Sequence, residues 1–533
     1  MRILVAACAA GFVGLPALGL LAGADEPSTG ADRPPEMDKF KVVRTLEIGD
    51  RPTSPHAFSP DSQVLAVAAG KRVLFRSTVT GKEARPAWDA EEFLDGSEKN
   101  ITYLAFVDAR TVAVSAEPNH VVHLRSYPTG ERIAQIDLGT DSVSYLATAP
   151  GLVAVASEGK IIRVWSAPQW KKPLEIVPVK GYASGLAFSP DRSEVAVGQG
   201  AKICVYGVRD GKLIRQTVPE SPWPYSVKLA YAPDGRSIAL TTEGGWGPLA
   251  GRQQPQHVIE LRDVGLKTVR TSVKWDVVAS GLQAQAYHLQ YTADGKTLLA
   301  LCNDQKVRMF ETATGGLRTT AHLPGVLNRV SLSPDGRLIG IRTNNWSEWQ
   351  IELLDWRAAA EQGEPLEAAG LDAAWNDLAS PDSGAGHKTV VRLCANPGLA
   401  INLIAERLRP VPVVNDDLVA AWVADLGSES FARREAAEKR LTEAGDLAEA
   451  SLRAAAQSDS VERQIRAARV LKSIESGTRD RVRALRVVEV LEYLNTPMCR
   501  DVLKGLAAGA PGARQTLDAR SALARLESSD PKP

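Results

Sequence analysis

The stretch Gly185–Val218, GLAFSPDRSEVAVGQGAKICVYGVRDGKLIRQTV, decides how this chain is read. Leu186–Phe188 is apolar, Ser189-Pro190-Asp191-Arg192 carries turn chemistry with its proline preset for the first central position, and Glu194–Val197 alternates. After Gly198 and Gly200, the β-branched and aromatic run Ile203–Tyr206 leads into a second polar turn, Arg209-Asp210-Gly211-Lys212, and then into Leu213–Val218. Four short strands joined by tight turns make an antiparallel meander.

The first turn recurs along the chain. It reads FSPD at 58–61, FVDA at 106–109, TAPG at 148–151, FSPD at 188–191, YAPD at 231–234, YTAD at 291–294 and LSPD at 332–335, which is seven copies. Their spacing is 40 to 48 residues, except for one interval of 60 that an insertion explains. A second element keeps step: VLFRSTVTGK, VHLRSYPTGE, VWSAPQWKK, VYGVRDGK, ELRDVGLK and MFETATGG, each a strand running into a polar turn. Two signals in register over seven periods define a repeat.

A sheet of this size cannot bury both faces alone, whereas stacking the sheets around an axis does so and leaves only short edges. The expectation is a seven-bladed β-propeller over residues 41–365, followed by an all-α domain over 366–528 and a tail at 529–533. Lys41–Glu47, KVVRTLE, resembles the outer strand KLIRQTV of another unit, so it is expected to pair into the last blade and close the ring. The alternative is a self-contained last blade completed near Pro365–Ala368.

These units resemble a divergent WD-repeat propeller over roughly three fifths of the chain. Trp165 in IRVWS stands where the tryptophan of that family ends the third strand, but no Gly-His pair opens the units and the Trp-Asp endings are missing. Trp88-Asp89 and Trp275-Asp276 are such dipeptides placed after outer strands, out of register with the motif. The resemblance implies architecture, and the family's hydrogen-bonded tetrad is not carried over.

After Trp356 the apolar period becomes helical. ESFARREAAEKRLTEAG (429–445) puts Phe431, Ala437 and Leu441 on one side, and SVERQIRAARVLKSIESG (460–477) does the same with Val461, Ile465, Ala468 and Leu471. RVRALRVVEVLEYLNTPMCRDVLKGLAAG reads as two helices bent at Thr496-Pro497, and ARSALARL closes the series. The RREAAEKRL and QIRAARVL elements resemble bacterial HEAT-like repeats over about 100 residues, which implies stacked helices. Arg479, Arg481, Arg483 and Arg486 form a basic run that either meets an acidic partner or is a solvated face balanced by nearby acids.

The chain opens MRILVAACAAGFVGLPALGLLAGADEP, one basic residue and then an apolar run ending in small residues. This reads as a signal peptide, residues 1–24, cleaved after Ala24 and followed by a linker at 25–40, so the protein is expected to be exported to the periplasm or exterior. An uncleaved membrane anchor is the alternative, and the only membrane contact expected. Lys plus Arg and Asp plus Glu are both 63, which argues against nucleic acid and leaves a protein partner as the expected ligand. Cys8 belongs to the leader, and Cys204, Cys302, Cys394 and Cys499 lack metal-ligand spacing; Cys204 and Cys302 read as buried thiols, with a disulfide left open.

No zinc-protease, nucleophile-elbow, P-loop or dinucleotide motif is present, and His56, His120, His123 and His288 read as structural imidazoles. Neither a cofactor nor a metal is expected. The insertions fall on one side of the meander, away from the FSPD and DGK turns, and they carry Trp88, Trp223, Trp246, Arg252, Trp275, Trp346 and Trp349. Tryptophans on exposed loops are candidate binding anchors; the competing reading is that each pins its own loop. The functional expectation is a non-enzymatic protein-interaction scaffold, with a propeller-borne enzyme, such as a hydrolase acting at the axial channel, as the rival.

Overall fold

The computed structural model describes residues 41–529, apart from 49–51, 91–93, 95–99, 158–160, 177–182, 201, 219–223, 245–256, 268, 276–285, 303, 305, 323–329, 346–347, 356–365 and 477. The signal-peptide and linker expectations fall outside these residues. Twenty-eight strands form seven four-stranded antiparallel sheets. Blades I to VI are meanders in chain order over residues 52–89, 101–137, 143–176, 183–217, 224–275 and 286–322. Blade VII is ordered β26 (Val330–Leu332), β27 (Leu338–Asn345), β28 (Glu348–Asp355) and β1 (Lys41–Glu47).

The ring therefore closes as the KVVRTLE reading expected. β1 runs antiparallel to β28, with Lys41 opposite Asp355 and Glu47 opposite Gln350. Among the described residues no strand is added at 366–368, where the 3-10 turn Ala368–Gly370 already begins the helical part.

The recurrent turn has a chemical cause. In blade IV, Ser189 Oγ donates to Asp191 Oδ1 at 2.6 Å and accepts from the Glu194 N–H at 3.0 Å, while Asp191 Oδ1 accepts from the Ser193 N–H at 3.1 Å. Ser59-Asp61, Thr292-Asp294 and Ser333-Asp335 repeat the arrangement, so a hydroxyl and a carboxylate two residues apart satisfy the backbone donors of the bend. The bonds from Ser189 and Ser193 hold the Asp191 carboxyl below its ordinary range.

The core is not one body. Seven apolar clusters lie between neighbouring sheets, one per seam of the ring; Phe58, Leu65 and Leu353, for example, join blade I to blade VII. Each sheet buries a face against each neighbour, as the stacking argument requires.

The helical part comprises α1 (Leu371–Asp377), α2 (Ser383–Ala395), α3 (Pro397–Arg407), α4 (Asp416–Asp425), α5 (Phe431–Ala444), α6 (Glu449–Ala455), α7 (Val461–Ser476), α8 (Thr478–Leu494), α9 (Pro497–Ala507) and α10 (Arg514–Ser529). α4 to α7 surround one apolar cluster, and α1 to α3 with α8 to α10 surround another. The bend at Thr496-Pro497 is a helix start: Thr496 Oγ1 accepts from the Cys499 N–H at 3.2 Å and Pro497 occupies the first turn.

The α5 face is as expected except at its end: Ala437 and Leu441 are buried, but Phe431 is 64% exposed. The α7 face is rotated in part: Leu471 is half-buried against the core, but Val461, Ile465 and Ala468 are exposed while Ala467 and Val470 are buried. On α7, Arg466 turns inward to meet Glu435, Glu438 and Glu462, and the inward face follows it to Ala467 and Val470. A buried, fully paired arginine outranks the weak apolar stripe in setting the rotation of the helix.

Candidate functional site

The expected tryptophan anchors separate into three groups. Trp223, Trp246, Arg252 and Trp346 lie outside the described residues. Trp275 is the last residue of β21 (Val269–Trp275), opposite His257, and Trp349 lies within β28 opposite Asn344, so both belong to strands by backbone. The NNWSEW stretch is correspondingly short, with only residues 346 and 347 between β27 and β28.

Trp88 corrects the loop reading. It lies in the outer strand β5 (Glu83–Asp89), is 7% exposed and packs edge-on against Phe75 with ring centroids 4.7 Å apart. Its Nε1 donates to the Pro128 carbonyl at 3.0 Å, across the seam in blade II. A Cβ on Gly130 would stand 3.1 Å from the indole, so the glycine of that turn lets the ring in. Trp88 is a buttress between blades, removed from solvent and from any partner.

Around the axis, side chains of one inner strand bind the backbone of the next. Tyr103 OH donates to the Ser144 carbonyl at 2.9 Å, and Ser184 Oγ donates to the Val227 carbonyl at 3.1 Å while accepting from its N–H at 3.0 Å. Gln290 clasps Leu332 in the same way, and His56 Nε2 lies 3.0 Å from the Gly340 carbonyl, joining blade I to blade VII. His120 Nδ1 meets the Asp141 carbonyl at 2.8 Å, so these two imidazoles are structural, as expected. Among the described residues, the inner strands carry a single acid, Asp108, whose Oδ1 accepts from the Arg110 N–H at the turn.

Among the described residues, no group of three or more His, Cys, Asp or Glu side chains could hold a metal ion. Cys204, Cys302, Cys394 and Cys499 are buried and in no disulfide, and burial pushes the Cys302 thiol up to about 12, which leaves it protonated and unreactive at neutral pH. No described helix is long and apolar enough to cross a membrane.

The most concentrated charge chemistry lies where the two domains meet. β24 (Lys306–Glu311) ends in Glu311 and β25 (Leu317–His322) begins with Leu317 and Arg318, across the outer turn of blade VI. From α8, Arg486 Nη2 reaches Glu311 Oε2 at 2.7 Å and its Nε reaches Oε1 at 2.9 Å, a two-pronged pair. Arg318 in turn binds Glu489 of α8 through Nη1 and Nη2, at 2.9 and 3.0 Å, and Glu311 Oε1 at 3.0 Å. All four side chains are at most 4% exposed on their own atoms.

Two arginines and two glutamates thus form a neutral, alternating quartet. Ser383 Oγ of α2 donates to Glu311 Oε2 at 2.9 Å, and Arg486 Nη1 donates to the carbonyls of Leu378 and Ser380. Burial works against the Glu311 charge, yet the Arg318 and Arg486 guanidiniums outweigh it and hold the carboxyl at about 2. Fit is tight: a Cβ on Gly386 would stand 2.1 Å from Arg486 Cζ, and one on Gly316 would stand 2.3 Å from Ser383 Oγ.

Arg486 is the last member of the basic run. The run is neither wholly solvated nor wholly partner-facing: Arg486 is buried against Glu311, and Arg483 stacks over Trp375 at 5.1 Å while donating to its carbonyl. A further contact, Arg337 over the Tyr493 ring at 5.3 Å, extends the seam toward blade VII. The helical domain therefore sits on the side of the tight turns, and the insertion-bearing connections emerge from the opposite side of the disc.

No family model and no curated protein matches the chain. Among solved structures it is similar to one named "Crystal Structure of Mitotic Checkpoint Complex", with a TM-score of 0.48 and 16% identity, covering 63% of this chain and 99% of that one.

Proposed function

We propose that this protein is a non-enzymatic protein-interaction scaffold of the cell envelope or exterior, a divergent WD-repeat type of propeller joined to a HEAT-like helical domain. The observation that carries the reading is the buried quartet Arg486–Glu311–Arg318–Glu489. It joins two repeat-built surfaces at a fixed angle and occupies the tight-turn side, which leaves the insertion-bearing side for a partner. A glycosidase-type site at the axis would use paired carboxylates, and among the described residues the inner strands carry Asp108, bonded to its own turn. The balance of 63 basic and 63 acidic residues supports protein over nucleic acid as partner. The apolar leader supports export.

Crosslinking and capture from the native compartment tests the partner, with a Trp246→Ala/Trp346→Ala/Trp349→Ala variant as comparison. Loss of capture at unchanged thermal stability is expected; loss of stability with capture retained would show that the tryptophans only pin their loops. The mature amino terminus is expected at Asp25, read by terminal sequencing of the native protein, and a retained Met1 with membrane fractionation would establish the anchor instead.

A further inference from the structure

A groove of about 700 Å³ runs between blades II and III, lined on one side by every residue from Arg132 to Gly139. That side is β9 (Arg132–Asp137), the outermost strand of blade II, which is hydrogen-bonded to the sheet along one edge only. The opposite wall is Trp165 and the following turn, which carries Trp170.

Three features mark this seam, the second of them shared in part by Leu266 (φ 61°) in the turn of blade V. First, the outer strand of blade III, β13 (Leu174–Ile176), has three residues, against five to seven for the outer strands of the other blades. It pairs only with Ile162–Val164 of β12 (Ile162–Ser166), so it stops short of Trp165 and Ser166 and leaves space outside them.

Second, Trp170 has φ 53° where the same turn in four other blades has Gly81, Gly130, Gly211 and Gly315, with φ between 67° and 79°. Each of these residues returns its N–H to the carbonyl four residues earlier, so the turns are equivalent. A bulky residue in the left-handed region costs about 1–2 kcal/mol relative to glycine, and sites that hold such conformations are enriched in function. What the strain holds in place is an indole packed between blades II and III, forming the apolar wall of the groove.

Third, the rim is cationic. Arg163 is neutralised by Asp141 and Glu175, each at 3.1 Å, but Arg132 and Lys171 have no ion-pair partner among the described residues. The acid on the wall, Asp137, accepts from the Gly139 N–H at 2.8 Å.

We infer that the free edge of β9 binds an extended, carboxylate-bearing segment of a partner protein, added to blade II as a fifth strand. An edge strand offers unpaired N–H and C=O groups along its length, which a second strand can take up, and the flanking pockets read alternate side chains. Ile133, 41% exposed on the groove, receives the apolar positions of the segment, and Arg132 and Lys171 receive its carboxylates. The inference rests on the scaffold reading but places a second partner surface on the rim of the disc, independent of the insertion-bearing side.

The test is selection of a random peptide display library, each member about twelve residues and so long enough to span β9, against the full chain. Arg132→Glu/Lys171→Glu serves as the counter-target; both positions are exposed, and an unchanged melting curve shows that the variant is folded. Recovered peptides are expected to alternate acidic and apolar residues, to bind the variant at least about tenfold more weakly, and to slow amide exchange of residues 132–138 by roughly tenfold. Proline substituted at alternate peptide positions is expected to abolish binding, because it removes a ladder donor.

Recovery of no peptide, equal binding to the variant, or tolerance of proline at every position overturns the inference. Protection of β9 that rises with protein concentration alone would mean that a second copy occupies the edge, and it overturns the inference as well. Peptides that instead protect the inter-blade connections overturn the groove and leave the scaffold reading intact.

Discussion

The joints between blades and the joint between domains use opposite chemistry. Each blade meets the next through an apolar cluster and a few side-chain clasps onto backbone, whereas the helical domain meets blade VI through four buried charges. Apolar contacts are non-directional and tolerate small slips, so a repeat that must be copied around a ring can use them at every seam. A buried ion quartet is unforgiving. It fixes one angle and one register, because any displacement strands a charge away from water.

Two adjacent residues of β24 put this contrast to its most direct test. Glu311→Ala leaves Arg318 and Arg486 short of a counter-charge and is expected to destabilise the joined state by about 3–5 kcal/mol. Calorimetry should then resolve the domains into separate transitions, and a single unshifted transition would contradict the seam's role. Phe310, 1% exposed, faces the cluster between blades V and VI instead. Phe310→Ala is expected to cost about 3–4 kcal/mol through the cavity it leaves, lowering the propeller transition without uncoupling the helices.

Acid offers a third way in. Glu311 is held at about 2 against an ordinary value of 4.5, so its contribution is complete above about pH 4.5 and is lost as pH falls through about 2. The shift corresponds to about 3 kcal/mol. A denaturation series across that window should show this loss in the natural protein, and Glu311→Gln should flatten the slope by about one proton. The smallest effect belongs to a single blade: Ser189→Ala removes the hydroxyl that ties Asp191 and the Glu194 N–H and should cost about 1 kcal/mol, with faster amide exchange confined to that turn.

The same contrast explains what the sequence disclosed. Blades are local: period-two strands, Ser-x-Asp turns and the copy of an outer strand at Lys41–Glu47 all lie in windows that can be read by eye, and the ring followed from them. The seam is not local. Arg486 lies 175 residues from Glu311 along the chain, and nothing near either residue marks it as paired. Trp88 was hidden for the same reason, since the Gly130 that admits its indole belongs to the next blade. On α7, Arg466 and its three glutamates overrode an apolar stripe that by itself pointed the other way. Trp170 was in plain view: of the six outer turns, four carry glycine at this place, the turn of blade V carries Leu266 at φ 61°, and the turn of blade III carries an aromatic residue.

The closing strand has a consequence for how the molecule comes into being. β1 leaves the ribosome first, yet its partner β28 is the last strand of the propeller to be made. Blades I to VI can assemble one after another as they appear, but the ring cannot close until synthesis has passed the whole of it. Until then KVVRTLE lacks the neighbour with which it pairs in the finished ring. Completion of the propeller is thus timed by its final residues, and a chain released early is left with an open ring.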